Sequence, residues 1–140
     1  MNEFTDSTND NTLFTENQLF SALKLLPSAA ILIDLKGKIL FLNDYALTFF
    51  GYSFDEFIVL NNISKIFIDK QRIADLMIEI NVTKDLVEKK VLVRNCDTSV
   101  VCVNLFARLL QLETDYILMQ FTELSEKSQT TVIELMNTVQ

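Results

Sequence analysis

Hydrophobic and polar residues alternate along the chain in short segments, each with the period of either a strand or a helix. A run of branched apolar residues at 29–34 predicts a buried strand. Lys36 and Gly37 then predict a tight turn, because glycine adopts positive φ without a steric penalty. A partner strand follows at 38–42. The sequence therefore predicts an antiparallel hairpin near its N-terminus.

Capping residues mark three helices after this hairpin. Asn43 is expected to cap a short helix that Gly51 ends. Ser53 and Glu56 have the spacing of a capping box, which predicts a second short helix. Asp69 predicts the start of a longer helix that extends to about residue 84. The apolar face of this longer helix comprises Ile73, Leu76, Met77 and Ile80.

Three further segments predict strands, at 86–94, 99–110 and 115–122. The first two are joined by a turn at 95–98, whose Asn and Asp residues favour turn conformations. Two strands, a helical middle and a three-stranded meander predict an α+β fold with a five-stranded antiparallel sheet and helices on one face.

The two ends of the chain flank this predicted domain, which spans residues 28–123. Residues 1–12 are acidic and polar, and we expect them to be mobile. A capping helix is predicted within 13–27, starting from a capping box of Thr15 and Gln18. Residues 124–140 predict an amphipathic exit helix with apolar positions at Val132, Leu135 and Val139.

The hairpin and the two short helices carry four motifs that resemble the opening of a PAS domain, with the resemblance covering roughly residues 20–125. The motifs are Asp34-Leu35-Lys36-Gly37, Leu42-Asn43, Phe50-Gly51-Tyr52-Ser53 and Glu56-Phe57. The chain departs from the family in the turn at 97–99 and at the end of the last strand, where Phe121-Thr122-Glu123-Leu124 stand in place of the usual Asp-Ile-Thr. The resemblance implies a sensory or dimerisation module, with a kinase, cyclase or DNA-binding output domain elsewhere in a longer protein.

Composition limits the partners and the compartment. The chain has 140 residues and a net charge of −7, and its basic residues form no patch along the sequence, which argues against nucleic acid or an anionic membrane as a partner. The N-terminus lacks the features of a secretory signal, and no apolar run approaches the ~20 residues of a membrane span. We expect a cytoplasmic protein, in which Cys96 and Cys102 are reduced thiols.

Missing residue types exclude several chemistries. The sequence contains no histidine and two glycines, which excludes histidine-dependent catalysis and a glycine-rich phosphate loop. Some PAS domains bind haem through a histidine, and others bind flavin beside a tryptophan or a reactive cysteine. This chain has no histidine and no tryptophan, and the stretch that corresponds to the reactive-cysteine motif, Asn61-Asn62-Ile63-Ser64, has no cysteine. We therefore expect no cofactor, no metal site and no catalytic activity. A small cone-shaped α+β enzyme, such as an isomerase or dehydratase, is the alternative of another class.

Two sets of apolar residues are candidate sites. The first set should meet between the long helix and the sheet, either as a filled core or as the wall of a pocket for a small apolar ligand: Leu76, Met77, Ile80, Val91, Val93, Val103 and Leu105. The second set is predicted to form a homodimer interface: Leu19, Phe20, Leu23, Phe106, Leu110, Val132, Leu135 and Val139. An N-terminal helix packed on the outer face of its own sheet would bury part of this second set in a monomer.

Overall fold

The computed structural model describes residues 16–124. Within that range the elements are α1 Glu16–Lys24, β1 Ala29–Ile33, β2 Ile39–Leu42, α2 Asp44–Phe50, α3 Phe54–Leu60, a 3-10 helix Ile63–Ile66, α4 Lys70–Thr83, β3 Val87–Arg94, β4 Val100–Gln111 and β5 Asp115–Glu123. The predicted cap at Thr15 and the exit helix, from residue 125 onward, lie outside the described residues.

The five strands form one antiparallel sheet in the order β2-β1-β5-β4-β3. The first and last strands are therefore neighbours in the sheet, paired from Ala29 with Phe121 to Ile33 with Ile117. The predicted α+β fold with a five-stranded antiparallel sheet is confirmed.

The predicted helix caps make the expected hydrogen bonds. Asn43 Oδ1 accepts from the main-chain N–H of Ala46 at 3.0 Å. Ser53 Oγ accepts from the N–H of Glu56 at 3.2 Å, and the N–H of Ser53 donates to Glu56 Oε1 at 2.8 Å. Gly51 ends α2 with a φ of +79°. These local bonds explain why the boundaries of α2 and α3 follow from the sequence.

The 3-10 helix was not predicted, because four residues are too few to show a helical period. Asn62 caps it, with Oδ1 accepting from the N–H of Ser64 at 3.0 Å. The Nδ2 atom of Asn62 donates to the carbonyl oxygen of Lys36 at 3.0 Å, and the N–H of Ile63 donates to that of Gly37 at 2.8 Å. These contacts fix the β1–β2 turn against the 3-10 helix.

The sheet has a core on each face. The larger core lies between the sheet and the layer of α2, α3 and α4, and includes Ile31, Phe50, Ile80, Leu105 and Phe121. The smaller core lies on the outer face, where Leu19 and Leu23 of α1 pack with Leu32 and Tyr116. The N-terminal helix thus covers part of the outer face of its own sheet.

Candidate functional site

The predicted ligand-binding residues meet in one apolar layer between α4 and the sheet. Leu76 and Ile80 come from α4, and Val91, Val93, Val103 and Leu105 come from β3 and β4. All six are buried, whereas Met77 is half-buried and packs at the margin of the layer. The structure thus brings six of these residues together, with Met77 at the margin, and their role in ligand binding stays a prediction.

Aromatic rings fill the layer beside the aliphatic residues. Phe121 of β5 contacts Phe50 edge-to-face with ring centroids 5.1 Å apart, and lies 6.4 Å from Phe67. Phe50 also meets Phe57 edge-to-face at 5.9 Å. Since Phe50, Phe57 and Phe121 are each at most 1% exposed, the chain's own side chains occupy this part of the interior.

A cavity of about 180 Å³ opens at the edge of the layer, between α4 and β3. Ile73, Leu76 and Val91 are among the residues that line its apolar part. At its rim, Lys89 Nζ lies 3.1 Å from Glu79 Oε1, so an ion pair joins the helix to the edge strand. The pair is half-exposed, which limits its contribution to stability.

A larger groove, of about 550 Å³, lies between the β1–β2 turn and α4, and we call it the hairpin groove. Its lining residues are Leu35, Lys36, Gly37, Asn62, Ile63, Ser64, Lys70, Ile73, Ala74, Met77 and Ile78. Met77 is the one residue of the predicted ligand-binding set that lines this groove. In the sequence, the groove is indicated only by Leu35 and Ile78, two large apolar residues that lie outside the predicted core pattern.

The predicted interface residues occupy different environments. Leu19 and Leu23 are 6% and 3% exposed and pack within the smaller core, which is the arrangement expected if the N-terminal helix covers the outer face of its own sheet. Phe20 stacks on Phe41 with centroids 4.8 Å apart. Leu110 and Phe106 are half-buried on the outer face of β4. Val132, Leu135 and Val139 lie outside the described residues.

The two cysteines are free thiols, with Cys96 half-buried and Cys102 buried. Desolvation and the nearby Glu56 charge raise the pKa of Cys96, whose Sγ lies 3.8 Å from Glu56 Oε1. Burial raises the pKa of the Cys102 thiol. Both groups therefore stay protonated at neutral pH, which disfavours nucleophilic or metal-binding chemistry. In contrast, hydrogen bonds from Ser53 lower the pKa of Glu56.

Over residues 16–124, no cluster of three or more histidine, cysteine, aspartate or glutamate side chains has the arrangement of a metal site. None of the helices in this range combines the length and apolar character required to cross a membrane.

Comparison with known proteins places these features in context. A family model described as a PAS domain matches residues 17–84. A search of curated proteins gave no match.

Many solved structures are similar to this chain, including the following three. One is the PAS domain of an HTR-like protein from Haloarcula marismortui, with a TM-score of 0.64 and 20% identity over 77% of this chain and 90% of that one. Another is a PAS domain from a two-component sensor histidine kinase, with a TM-score of 0.62 and 18% identity over 76% and 93%. The third is the Rhodobacter sphaeroides LOV protein, with a TM-score of 0.67 and 17% identity over 81% and 70%. At these identities the likeness concerns the fold.

Proposed function

We propose that this chain, which matches a PAS-domain family model over residues 17–84, is a sensory and dimerisation module of a signal-transduction protein, without catalytic activity of its own. The similarity to a PAS domain from a two-component sensor histidine kinase supports a role in signal input. In this proposal the output domain, a kinase, cyclase or DNA-binding domain, lies elsewhere in a longer protein.

The observation that carries the proposal is the filled interior between α4 and the sheet. Ile80, Leu105 and Met119 have no exposed surface, so aliphatic side chains of the protein occupy the space that a large cofactor would need. When the interior of a domain is filled, other molecules contact the domain at its surface. This supports recognition by a second copy or by a neighbouring domain.

The outer face of the sheet supports a homodimer as the form that this recognition takes. Phe106 and Leu110 are half-buried there, and Phe20 is half-buried on the adjacent helix. Pairing two copies through this surface would remove apolar area from water at about 25 cal/mol per Å². Val132, Leu135 and Val139 would extend the same contact, whereas Leu19 and Leu23 would stabilise each protomer from within.

The alternative of a small isomerase or dehydratase requires a free acid or base in a pocket. The two acids that the sequence offers in the motif region are engaged in local structure. Asp34 Oδ1 accepts from the N–H groups of Lys36 and Lys38 at 2.8 and 2.9 Å. Glu56 accepts from the N–H of Ser53 at 2.8 Å. These bonds support structural roles for both carboxylates.

Light scattering coupled to gel filtration tests the dimer. We expect the wild-type chain to be a dimer at tens of micromolar, and Phe106→Glu to shift it to monomer because a charge in the interface would lack a partner. Val82→Glu is the matched control, since Val82 is 74% exposed on α4, away from the outer face. Circular dichroism verifies that each variant is folded.

A wild-type monomer under these conditions would contradict the dimer proposal. A dimer that Phe106→Glu and Leu135→Glu both leave intact would show that the interface lies elsewhere. Leu23→Glu is unsuitable for this purpose, because Leu23 is 3% exposed within its own chain and a charge there would unfold the contact of α1 with the sheet.

The second candidate is a PAS domain that binds a small apolar ligand between α4 and the sheet. The cavity of about 180 Å³ between α4 and β3 favours it, because Leu76 and Val91 of the predicted set line this cavity. Native mass spectrometry of the purified chain distinguishes the candidates: an added mass that disappears on denaturation would support the ligand-binding domain.

A further inference from the structure

The hairpin groove combines an apolar floor with apolar walls that face water. Ile63 and Ile73 are buried at its floor, and Met77 is half-buried beside them. Leu35 and Ile78 form the walls and are 47% and 62% exposed. Large apolar side chains that share one concave, water-facing site are a favourable surface for an apolar guest.

The rim of the groove is cationic. Lys36 contributes an ammonium group from the β1–β2 turn, and Lys70 contributes one from the first turn of α4. Lys70 Nζ donates to the carbonyl oxygen of Ser64 at 2.9 Å, which holds that ammonium at the rim and leaves two of its protons available. Among the described residues that line the groove, none is acidic. This local positive charge contrasts with the net charge of −7 on the chain.

The wall formed by the hairpin is fixed before any ligand binds. Asn62 Nδ2 donates to the carbonyl oxygen of Lys36 at 3.0 Å, and the carbonyl of Gly37 accepts from the N–H of Ile63 at 2.8 Å. A Cβ atom on Gly37 would lie 2.8 Å from Asn62 Oδ1, so the turn and Asn62 are in close contact. A preformed wall reduces the entropy lost on binding.

The groove continues towards the interior. A recess of about 240 Å³ shares Leu35, Met77 and Ile78 with it and reaches Ile80 and Ile117 of the larger core. The recess therefore borders the groove at these three shared side chains. The groove volume of about 550 Å³ lies within the range of about 300–1,000 Å³ that is usual for small-molecule sites.

We propose that the hairpin groove binds a free single-chain carboxylate, with the carboxylate between Lys36 and Lys70 and the alkyl chain along Leu35, Met77 and Ile78. Charge complementarity at the rim selects an anion, and the apolar floor selects an unbranched hydrocarbon chain. The site goes beyond the proposed dimer and is independent of it, because the groove residues are not part of the interface on the outer sheet face.

NMR titration of the full chain with octanoate, below its micellar concentration, tests this site, and 1-octanol is the neutral probe of equal chain length. We expect saturable binding of octanoate, with shifts of the amide signals of Gly37 and Ile78. The double variant Lys36→Gln/Lys70→Gln should weaken octanoate binding about five-fold, the effect of losing two exposed ion pairs, and leave octanol binding unchanged.

Ile78→Asp and Val82→Asp form a matched pair on exposed positions of α4, one turn apart. Ile78→Asp should weaken octanoate about ten-fold, because it places a carboxylate in the apolar path of the ligand, and Val82→Asp should stay within two-fold. The proposal is overturned if octanoate shows no saturable binding, if the lysine variant binds octanoate as well as the wild type, or if both aspartate variants weaken binding equally.

Discussion

Asn43 Nδ2 donates to the carbonyl oxygen of Leu23 at 3.2 Å, and so joins the N-cap of α2 to the last turn of α1. The same nitrogen donates to the carbonyl of Ser28 at 2.9 Å, while Oδ1 accepts from the N–H groups of Ala30 and Ala46, both at 3.0 Å. Asn43 is 2% exposed. One buried amide therefore connects two helices and the first strand.

Replacing this amide should destabilise the fold substantially. We expect Asn43→Ala to lower the free energy of unfolding by about 3 kcal/mol, because it removes a helix cap and leaves buried main-chain groups without partners. Asn81→Ala, at an exposed position of α4, is the control and should change stability by less than about 0.5 kcal/mol. Urea denaturation followed by circular dichroism measures both, and equal effects would contradict the structural role of Asn43.

The two glycines should differ in their tolerance of alanine. Both have positive φ, +90° at Gly37 and +79° at Gly51, so alanine costs about 1 kcal/mol of strain at either position. At Gly37 a Cβ would also lie 2.8 Å from Asn62 Oδ1, whereas at Gly51 its nearest neighbour is Cys96 Cβ at 3.7 Å.

We therefore expect Gly37→Ala to lower the thermal midpoint more than Gly51→Ala. Asn62→Ala tests the cause: in that background the clashing amide is gone, so Gly37→Ala should lower the thermal midpoint less than it does in the wild type. Identical midpoints for the two single variants would show that the hairpin turn adapts without cost.

Truncations in the layer beneath α4 should depend on burial. Leu105 is fully buried, and Leu105→Ala should cost about 3–4 kcal/mol through lost burial and an internal cavity. Met77 is half-buried at the hairpin groove, so Met77→Ala should cost only about 1 kcal/mol. Chemical denaturation of the two variants distinguishes them, and a Met77→Ala cost as large as that of Leu105→Ala would mean that the groove is closed in solution.

Glu56 should contribute to the pH dependence of stability. Hydrogen bonds from the main chain and side chain of Ser53 lower its pKa below the ordinary value of 4.5. A carboxyl whose pKa is depressed in the folded state stabilises the protein above its unfolded pKa, and this contribution disappears as the pH falls through the folded value. The stability difference between wild type and Glu56→Gln should thus be largest above pH 4.5 and shrink on acidification. A difference that stays constant into strong acid would refute this role.

Much of the fold follows from the sequence because its determinants are local. The caps at Asn43, Ser53 and Asp69 and the turn at Gly37 each use residues within a few positions of one another. The alternation in β4 and the face of α4 also depend on regular periods alone. These features can be predicted without knowledge of tertiary contacts.

Features that depend on distant residues could not be predicted in this way. The hairpin groove brings Leu35, Ile63 and Ile78 together through the contact of Asn62 with the turn, which no local period reveals. The same limit explains the role of Leu23, since an apolar helix face fits a second copy or its own sheet equally well. Its partners, Leu32 and Tyr116, are set by the sheet order.

The central pairing of β1 with β5 also has a mechanical consequence. Ala29, where the first strand begins, lies opposite Phe121, near the end of the last strand, so the chain enters β1 and leaves β5 at the same end of these two neighbouring strands. A force that separates these two points would load the hydrogen bonds between β1 and β5 one after another, as in opening a zipper, instead of shearing them together. If segments attached at these two points moved apart, the pairing of β1 with β5 in the middle of the sheet would therefore be the first to open.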